Sequence, residues 1–388
     1  MCPSVGRSAP QQRHLFIDLY RSAVILLMLE GHVLRVFLSA TVQKTVGFEF
    51  HEFFHGLSAP AFLFGAGLTF VISTRRRWEE YHHWDPPLAR RVKRLLLVIL
   101  LGYFLHLPFF SFRKIILEGT VGNYTQLFQC DVLHCIGIGL LSLHALIFFF
   151  KKESRFYILV MTTVGLVCFL TPFVWDIDFM KLIPIPVSQL LNGNYSSPFP
   201  LFPYLGFLYA GVIVSWEFLV AVETGSERQF MYWLTVFGAA AIIAGVIFDN
   251  LPITIYPTYN YWFTSPNYFL VRIGSLMIVF SSIWYITPRL QKYRRILTIL
   301  GIESLFVYVA HLLVLYGSVL NPSCNLLVYF GTNLTLINSV FIFIGLLALM
   351  IFAAFFWNYL KTSRPNLYRI VQLAIGGVLL ILFFITDF

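Results

Sequence analysis

Residues 16–40, FIDLYRSAVILLMLEGHVLRVFLSA, set Asp18, Arg21, Glu30, His32 and Arg35 into a run otherwise apolar enough to span a membrane. Ionisable groups are costly at such depth; they normally face the protein interior and mark a functional path. At about 100° per residue, Arg21 and His32 fall within roughly 20° of each other on a helix. Asp18 lies one turn before Arg21 and Arg35 falls close to the same line, while Glu30 points the other way. The result is a polar stripe with a cation–carboxylate pair at one end and an imidazole about 16 Å further along. An imidazole can deprotonate a nucleophile near neutral pH, and a guanidinium fork matches phosphate. Asp18–Arg21 alone reads equally well as a structural pair near a helix end, with His32 hydrogen-bonded in a bundle. Taken together, the three favour a site.

Composition says what must position this stripe. Of 388 residues, 58% are hydrophobic and 12% charged, with a mean hydropathy of +0.77. That places nearly the whole chain in a bilayer, as an all-α, polytopic integral membrane protein. The 41 Phe suit lipid-facing surfaces. The five cysteines show no metal-ligand spacing and leave at most a Cys130–Cys135 link, so no metal is expected. The length and internal charges of the first run argue for a retained span rather than a signal peptide.

Hydrophobic runs broken by charged or Pro/Asn/Gly-rich stretches predict about eleven spans, at 16–39, 53–73, 93–110, 129–150, 156–175, 201–220, 231–248, 268–287, 299–319, 335–359 and 368–386. With a cytoplasmic N-terminus, most of the 27 Lys and Arg fall in cytoplasmic segments, among them Arg75, Arg76 and Arg77. The opposite loops hold only Lys44, Arg113, Lys114 and Lys181. This asymmetry explains the net charge of +9 without nucleic acid, and it sets the C-terminus on the outer side. Residues 1–15 then form a short cytoplasmic leader, and 16–388 a single transmembrane domain. Most histidines gather toward the outer face, with His51, His55, His106 and His134 joining His32, Arg35, Asp131 and Arg272. Asp131 and His134 stand one turn apart, where Asp131 serves equally well as a helix N-cap. Ser304, Tyr308 and His311 share one helical face within about 60°; interhelical hydrogen bonding is their plain alternative. Outer loops 176–200 and 249–267 are rich in Pro, Asn and Tyr and show no obvious helix, so they read as lids or binding surfaces.

Several segments resemble the membrane acyltransferases related to heparan-α-glucosaminide N-acetyltransferase. RHLFIDLYRSAVILLMLEGH is similar to their first span, and HGLSAPAFLFGAG to their Ala-Pro-x-Phe-x-Phe-x-x-Gly segment. LFQCDVLHCIGIGLL resembles their Val-Leu-x-x-Ile-Gly helix, PFPLFPYLGFLYAGV their Pro-Trp-x-Gly-x-x-x-x-Gly helix, and LGIESLFVYVAHLLVLY their late Gly-x-x-Ser-Leu-x-x-Tyr-x-x-His helix. The Arg21–His32 spacing also resembles the wider acyltransferase-3 group, whose matching histidine is implicated in catalysis and arginine in handling acyl-CoA. Ser22 stands where a glycine is usual and Glu303 where an asparagine is common. Gly56 holds the place of a histidine, whose role falls to His55 or His51.

The resemblance implies an acyl-CoA-dependent transmembrane O- or N-acyltransferase. It would move an acyl group, acetyl foremost, from cytoplasmic acyl-CoA to an amine or hydroxyl of a sugar, glycan or lipid-linked sugar on the far side. The expected catalytic residues are His32, His55 and His51, with His32 as the general base or as a transient carrier of the acyl group. Arg21, kept in place by Asp18, would meet the CoA phosphates, with Arg75 and Arg76 collecting the nucleotide at the membrane surface. Arg35, Asp131, His134, Arg272, Ser304, Tyr308 and His311 would line the cavity. Acyl-CoA, the glycan acceptor and membrane lipids are the expected partners, a homodimer is compatible, and a bacterial inner membrane is the expected location. The rival reading is a multi-span transporter or permease for a small polar or glycan-related solute, although no internal inverted repeat is present.

Overall fold

The computed structural model describes residues 15–253 and 255–385, so the expected leader lies almost wholly outside them. The chain begins with α1 (Leu15–Phe37), α2 (Ala40–Gln43), α3 (Val46–His55), α4 (Ser58–Thr74) and α5 (Pro86–Leu105). It continues through α6 (Phe112–Leu117), α7 (Val121–Leu127), α8 (Val132–Phe150), α9 (Glu153–Trp175), α10 (Ile185–Leu191) and α11 (Leu201–Thr224). Then follow α12 (Glu227–Asp249), α13 (Pro266–Leu290), α14 (Arg294–Ile302), α15 (Ser304–Leu315), α16 (Leu326–Phe330), α17 (Leu336–Ser363) and α18 (Pro365–Ile385). No strand occurs among the described residues beyond an isolated bridge between Leu38 and Leu334.

Among the described residues, eight helices are long and apolar enough to cross a membrane, fewer than the eleven expected. The other three expected spans coincide with α1, α5 and α15. The first two are too charged to count: α1 carries Asp18, Arg21, Glu30 and Arg35, and α5 carries Arg90, Arg91, Lys93 and Arg94. The Asp85 N-cap and Pro86 at the first turn start α5 earlier than expected, which draws those basic residues into the helix. The ninth expected span is broken at Glu303, leaving twelve residues in α15. Glu303 is buried at this break, where it accepts hydrogen bonds from Asn358 at 2.8 Å and Lys361 at 3.2 Å. Cys130 and Cys135 are free thiols, not a linked pair.

The helix too polar to face lipid is the centre of the bundle. Helix α1 packs against α4, α13, α14, α15 and α17, burying Tyr20, Ile25, Leu29, Val33 and Phe37 completely. This packing buries Asp18, partly encloses Arg21, Glu30 and His32, and leaves Arg35 exposed. By contrast, α18 has no buried residue and touches α17 and α6 at the periphery. The long connections, with α2, α3, α6, α7, α10 and α16, gather at the end of the bundle where α1 finishes. Tight turns at the opposite end hold Lys151–Lys152 and Arg364.

Loop 176–200 contains a 3-10 turn at Phe179–Lys181 and the helix α10, contrary to the expectation of a loop without helix. It is firmly tied. Gln189 donates to the Thr125 carbonyl at 3.1 Å, Asn192 donates to those of Val174 and Ile177 at 3.0 Å, and Ser197 accepts from the Cys130 N–H at 3.0 Å. Tyr195 donates to Asp178, and with Lys181 this holds the Asp178 carboxyl below its ordinary value.

Two glycines from the resembled segments meet where α4 crosses α11. A Cβ on Gly67 would lie 2.0 Å from the Leu208 carbonyl oxygen, and one on Gly211 would lie 2.1 Å from that of Phe64. Only missing side chains let these backbones touch, the usual device where lipid supplies no hydrophobic drive. Gly67→Ala is therefore expected to cost at least about 1–3 kcal/mol through overpacking. A lowered apparent Tm of the purified protein checks this.

Candidate active site

Helix α15 presents Ser304, Tyr308 and His311 on one face, and each meets a different residue expected in the site. Arg21 Nη2 donates to Ser304 Oγ at 2.6 Å. Tyr308 donates its hydroxyl to Asp131 Oδ2 at 3.0 Å. His311 lies with its Nε2 3.0 Å from His32 Nδ1, the two rings stacked at 16°. One short helix thus joins both ends of the α1 stripe to the start of α8.

The histidine pair fixes its own tautomers. His311 Nδ1 lies 3.0 Å from the Val307 carbonyl, which can only accept, so this nitrogen carries the proton. His311 Nε2 is then the bare nitrogen and accepts from His32 Nδ1–H. That assignment leaves the lone pair of His32 on Nε2, available as a base. A hydrogen bond to the remote nitrogen orients an imidazole and fixes its tautomer, as in catalytic histidine systems generally.

The carboxylate of Asp131 is fully engaged. It caps α8 by accepting from Leu133 N–H, takes the Tyr308 hydroxyl and lies 3.4 Å from His106 Nε2. The Asp131 N–H donates to His134 Nδ1 at 3.1 Å, closing a capping box. Asp131 therefore does serve as an N-cap, while also tying α15 to α8.

Beside Arg21, a cavity of about 190 Å³ runs between α1, α4, α5, α8 and α15. Its walls are mostly apolar, with Val24, Phe62, Val98 and Leu133 along them and Arg21 and Ser304 as polar contacts. Asp18 is buried near the start of α1, where α14 crosses closely and Ser22 Oγ accepts the Gly301 N–H at 2.8 Å. The hydroxyl that replaces a glycine at position 22 thus has a partner at the helix crossing.

The remaining expected residues are placed as follows. His55 ends α3 with its ring 5.9 Å from that of His32, and His51 pairs with Glu30. Arg35 is exposed and reaches Glu52 at 3.9 Å. Arg272 is buried, with its guanidinium 4.1 Å above the Tyr268 ring and beside the turn at Gly56. Arg75 lies in ion pairs, 3.3 Å from Glu223 and 4.0 Å from Glu153, and over the Trp216 ring. Arg76 is exposed on the same turn. Neither arginine lines the cavity beside Arg21. Reading the sequence passed over Glu30 and His106 as site members, since both contacts depend on chain that is distant or folded back. Among the described residues no cluster of His, Cys, Asp or Glu could hold a metal ion.

The fold and this constellation define a class: an all-helical integral membrane protein whose central helix carries an arginine and a histidine on one face, each held by the same neighbouring helix. A family model described as heparan-alpha-glucosaminide N-acetyltransferase, catalytic, matches residues 13–251, well over half of the sequence, and the chain belongs to this family. Membership implies a membrane transferase, with acetyl transfer the chemistry the family names. The match covers α1 to α12 and ends before Arg272, Ser304, Tyr308 and His311. Comparison with curated proteins returns no match. Neither the family nor the helices support the expected bacterial inner membrane.

Proposed function

We propose that the chain moves an acyl group, acetyl foremost, from acyl-CoA to an amine or hydroxyl of a sugar-type acceptor on the opposite side of the membrane. In this reading α1, α5 and α15 also cross, making eleven spans, and residues 16–388 act as one domain behind a leader at 1–15. The basic, tightly turned end is cytoplasmic and the loop-bearing end is outer, with the C-terminus there. Acyl-CoA enters from the basic end, where Arg21 and Ser304 meet its phosphates and Asp18 lies one helical turn away. His32 is the base at the far end of the arm, and His55 and His51 flank it. Arg76, and more weakly the already paired Arg75, add cationic attraction at the surface. Arg35, Asp131, His134, Arg272 and Tyr308 stand toward the acceptor.

One observation carries this reading: Arg21 and His32 share a face of one buried helix, and each is fixed by the same partner helix, α15. Their separation along α1 is about 16 Å. The pantetheine arm of CoA has about thirteen bonds between its nearest phosphorus and sulfur, and at about 1.2 Å of reach per bond it spans about 16 Å. A phosphate held at Arg21 therefore sets the thioester near His32. The mainly apolar cavity beside Arg21, lined along α1 as far as Val24, suits the phosphate-proximal part of a thin, weakly polar arm.

The direct test is transfer of labelled acetyl from acetyl-CoA to amino and neutral sugars by the purified protein, with release of free CoA thiol. No transfer to either would overturn the proposal. His311→Phe removes the acceptor of His32 Nδ1–H. It is expected to lower kcat about 10- to 100-fold with little change in KM for acetyl-CoA, since the orientation of the base is lost rather than binding.

A further inference from the structure

Glu30 points away from the Arg21–His32 face, yet α3 folds back to meet it. His51 Nε2 lies 2.8 and 3.0 Å from the two Glu30 oxygens. From that pair a row of imidazoles leads inward. His51 stacks on His55, with ring centroids 6.3 Å apart and planes within 4°. His55 then meets His32 edge to face at 5.9 Å. Gly31 makes the row possible: a Cβ there would lie 1.7 Å from His55 Nδ1, so its missing side chain is the slot the ring fills. Glu-Gly-His at 30–32 thus places a carboxylate, a gap and a base in consecutive positions. The Nδ1 atoms of His51 and His55 are buried without hydrogen-bond partners, whereas buried polar atoms are ordinarily paired. The side chains of His51 and Glu30 retain 21% and 26% accessibility, while His55 is buried.

We propose that His55, His51 and Glu30 form a proton relay between His32 and the loop-bearing face. The relay rests on the reading of His32 as the base. A sugar amine arrives mostly as ammonium. An ammonium and an acyl thioester give an amide, free CoA thiol and one proton: the C–N bond forms, the C–S bond breaks, and the nitrogen loses two protons. One ends on the departing thiolate sulfur. The other must leave the site, and it passes from His32 through His55 and His51 to Glu30. Each ring-to-ring gap is crossed by one bridging water or by rotation of the intervening imidazole. A hydroxyl acceptor releases no net proton and needs no such route. The other charged or titratable groups facing the row are His311 and Tyr316 against His32, Arg35 with Glu52, and Arg272 near Gly56.

Glu30→Gln is isosteric and His51→Gln leaves a polar side chain in place of the ring; each removes the proton-carrying group. The test measures steady-state acetylation of glucosamine by the full chain in dilute buffer, with and without added imidazole. Both variants are expected to fall at least about tenfold, to recover with external imidazole, and to keep the wild-type KM for acetyl-CoA. Wild-type turnover in both, or a loss that imidazole does not restore, would overturn the relay while leaving His32 as the base. Absence of transfer by the wild-type protein would overturn the acyl-transfer reading and the relay with it.

Discussion

His32→Ala is expected to lower acyl transfer by about 10³-fold or more, the upper range for loss of a positioned general base. His32 Nε2 is the free lone pair at the end of a chain that starts at the Val307 carbonyl and runs through both nitrogens of His311. Alanine removes that lone pair and leaves His311 Nε2 without its donor. The bundle should survive: His32 is only partly buried, and the apolar side chains of α1 that pack the core are untouched. The check is kcat beside acetyl-CoA binding and apparent Tm, the last two staying near wild type. Normal turnover in this variant would remove His32 from the mechanism.

Arg21→Ala is expected to act on binding instead. A charge-assisted hydrogen bond to phosphate contributes about 1.5–3 kcal/mol. Its loss should raise the Kd for acetyl-CoA about 10- to 100-fold, read by calorimetry on the purified protein. Ser304→Ala removes the oxygen that accepts from Arg21 at 2.6 Å and leaves the charge in place, so its effect should be smaller and in the same direction. Arg21→Lys keeps the charge but loses the planar fork, and should restore only part of the affinity. Unchanged affinity in Arg21→Ala would place the nucleotide elsewhere.

The two predictions draw on different kinds of information. That Arg21 and His32 share a face needs only the helical repeat, and so does the alignment of Ser304, Tyr308 and His311. Local periodicity is written in spacing because an α-helix fixes direction every 3.6 residues. The membrane class was equally plain, since composition alone requires most of the chain to lie in lipid. The number of helices apolar enough to cross was not. Polar α1 and α5 are tolerated because neighbouring helices enclose or flank them, and the break at Glu303 depends on Asn358 and Lys361 from α17.

What sequence alone determined, then, was which residues face together within each helix, and that the chain is a helical membrane protein with an acyltransferase-like pattern. Only the tertiary structure decided which face meets which. His32 and His311 are 279 residues apart, and Arg21 and Ser304 are 283 apart. Glu30, on the wrong side of α1 by periodicity, gains its partner because α3 turns back along that side. Such contacts arise from packing, where side-chain volume, the gap at Gly31 and the need to pair every buried polar group act together. None of these is a property of residue spacing.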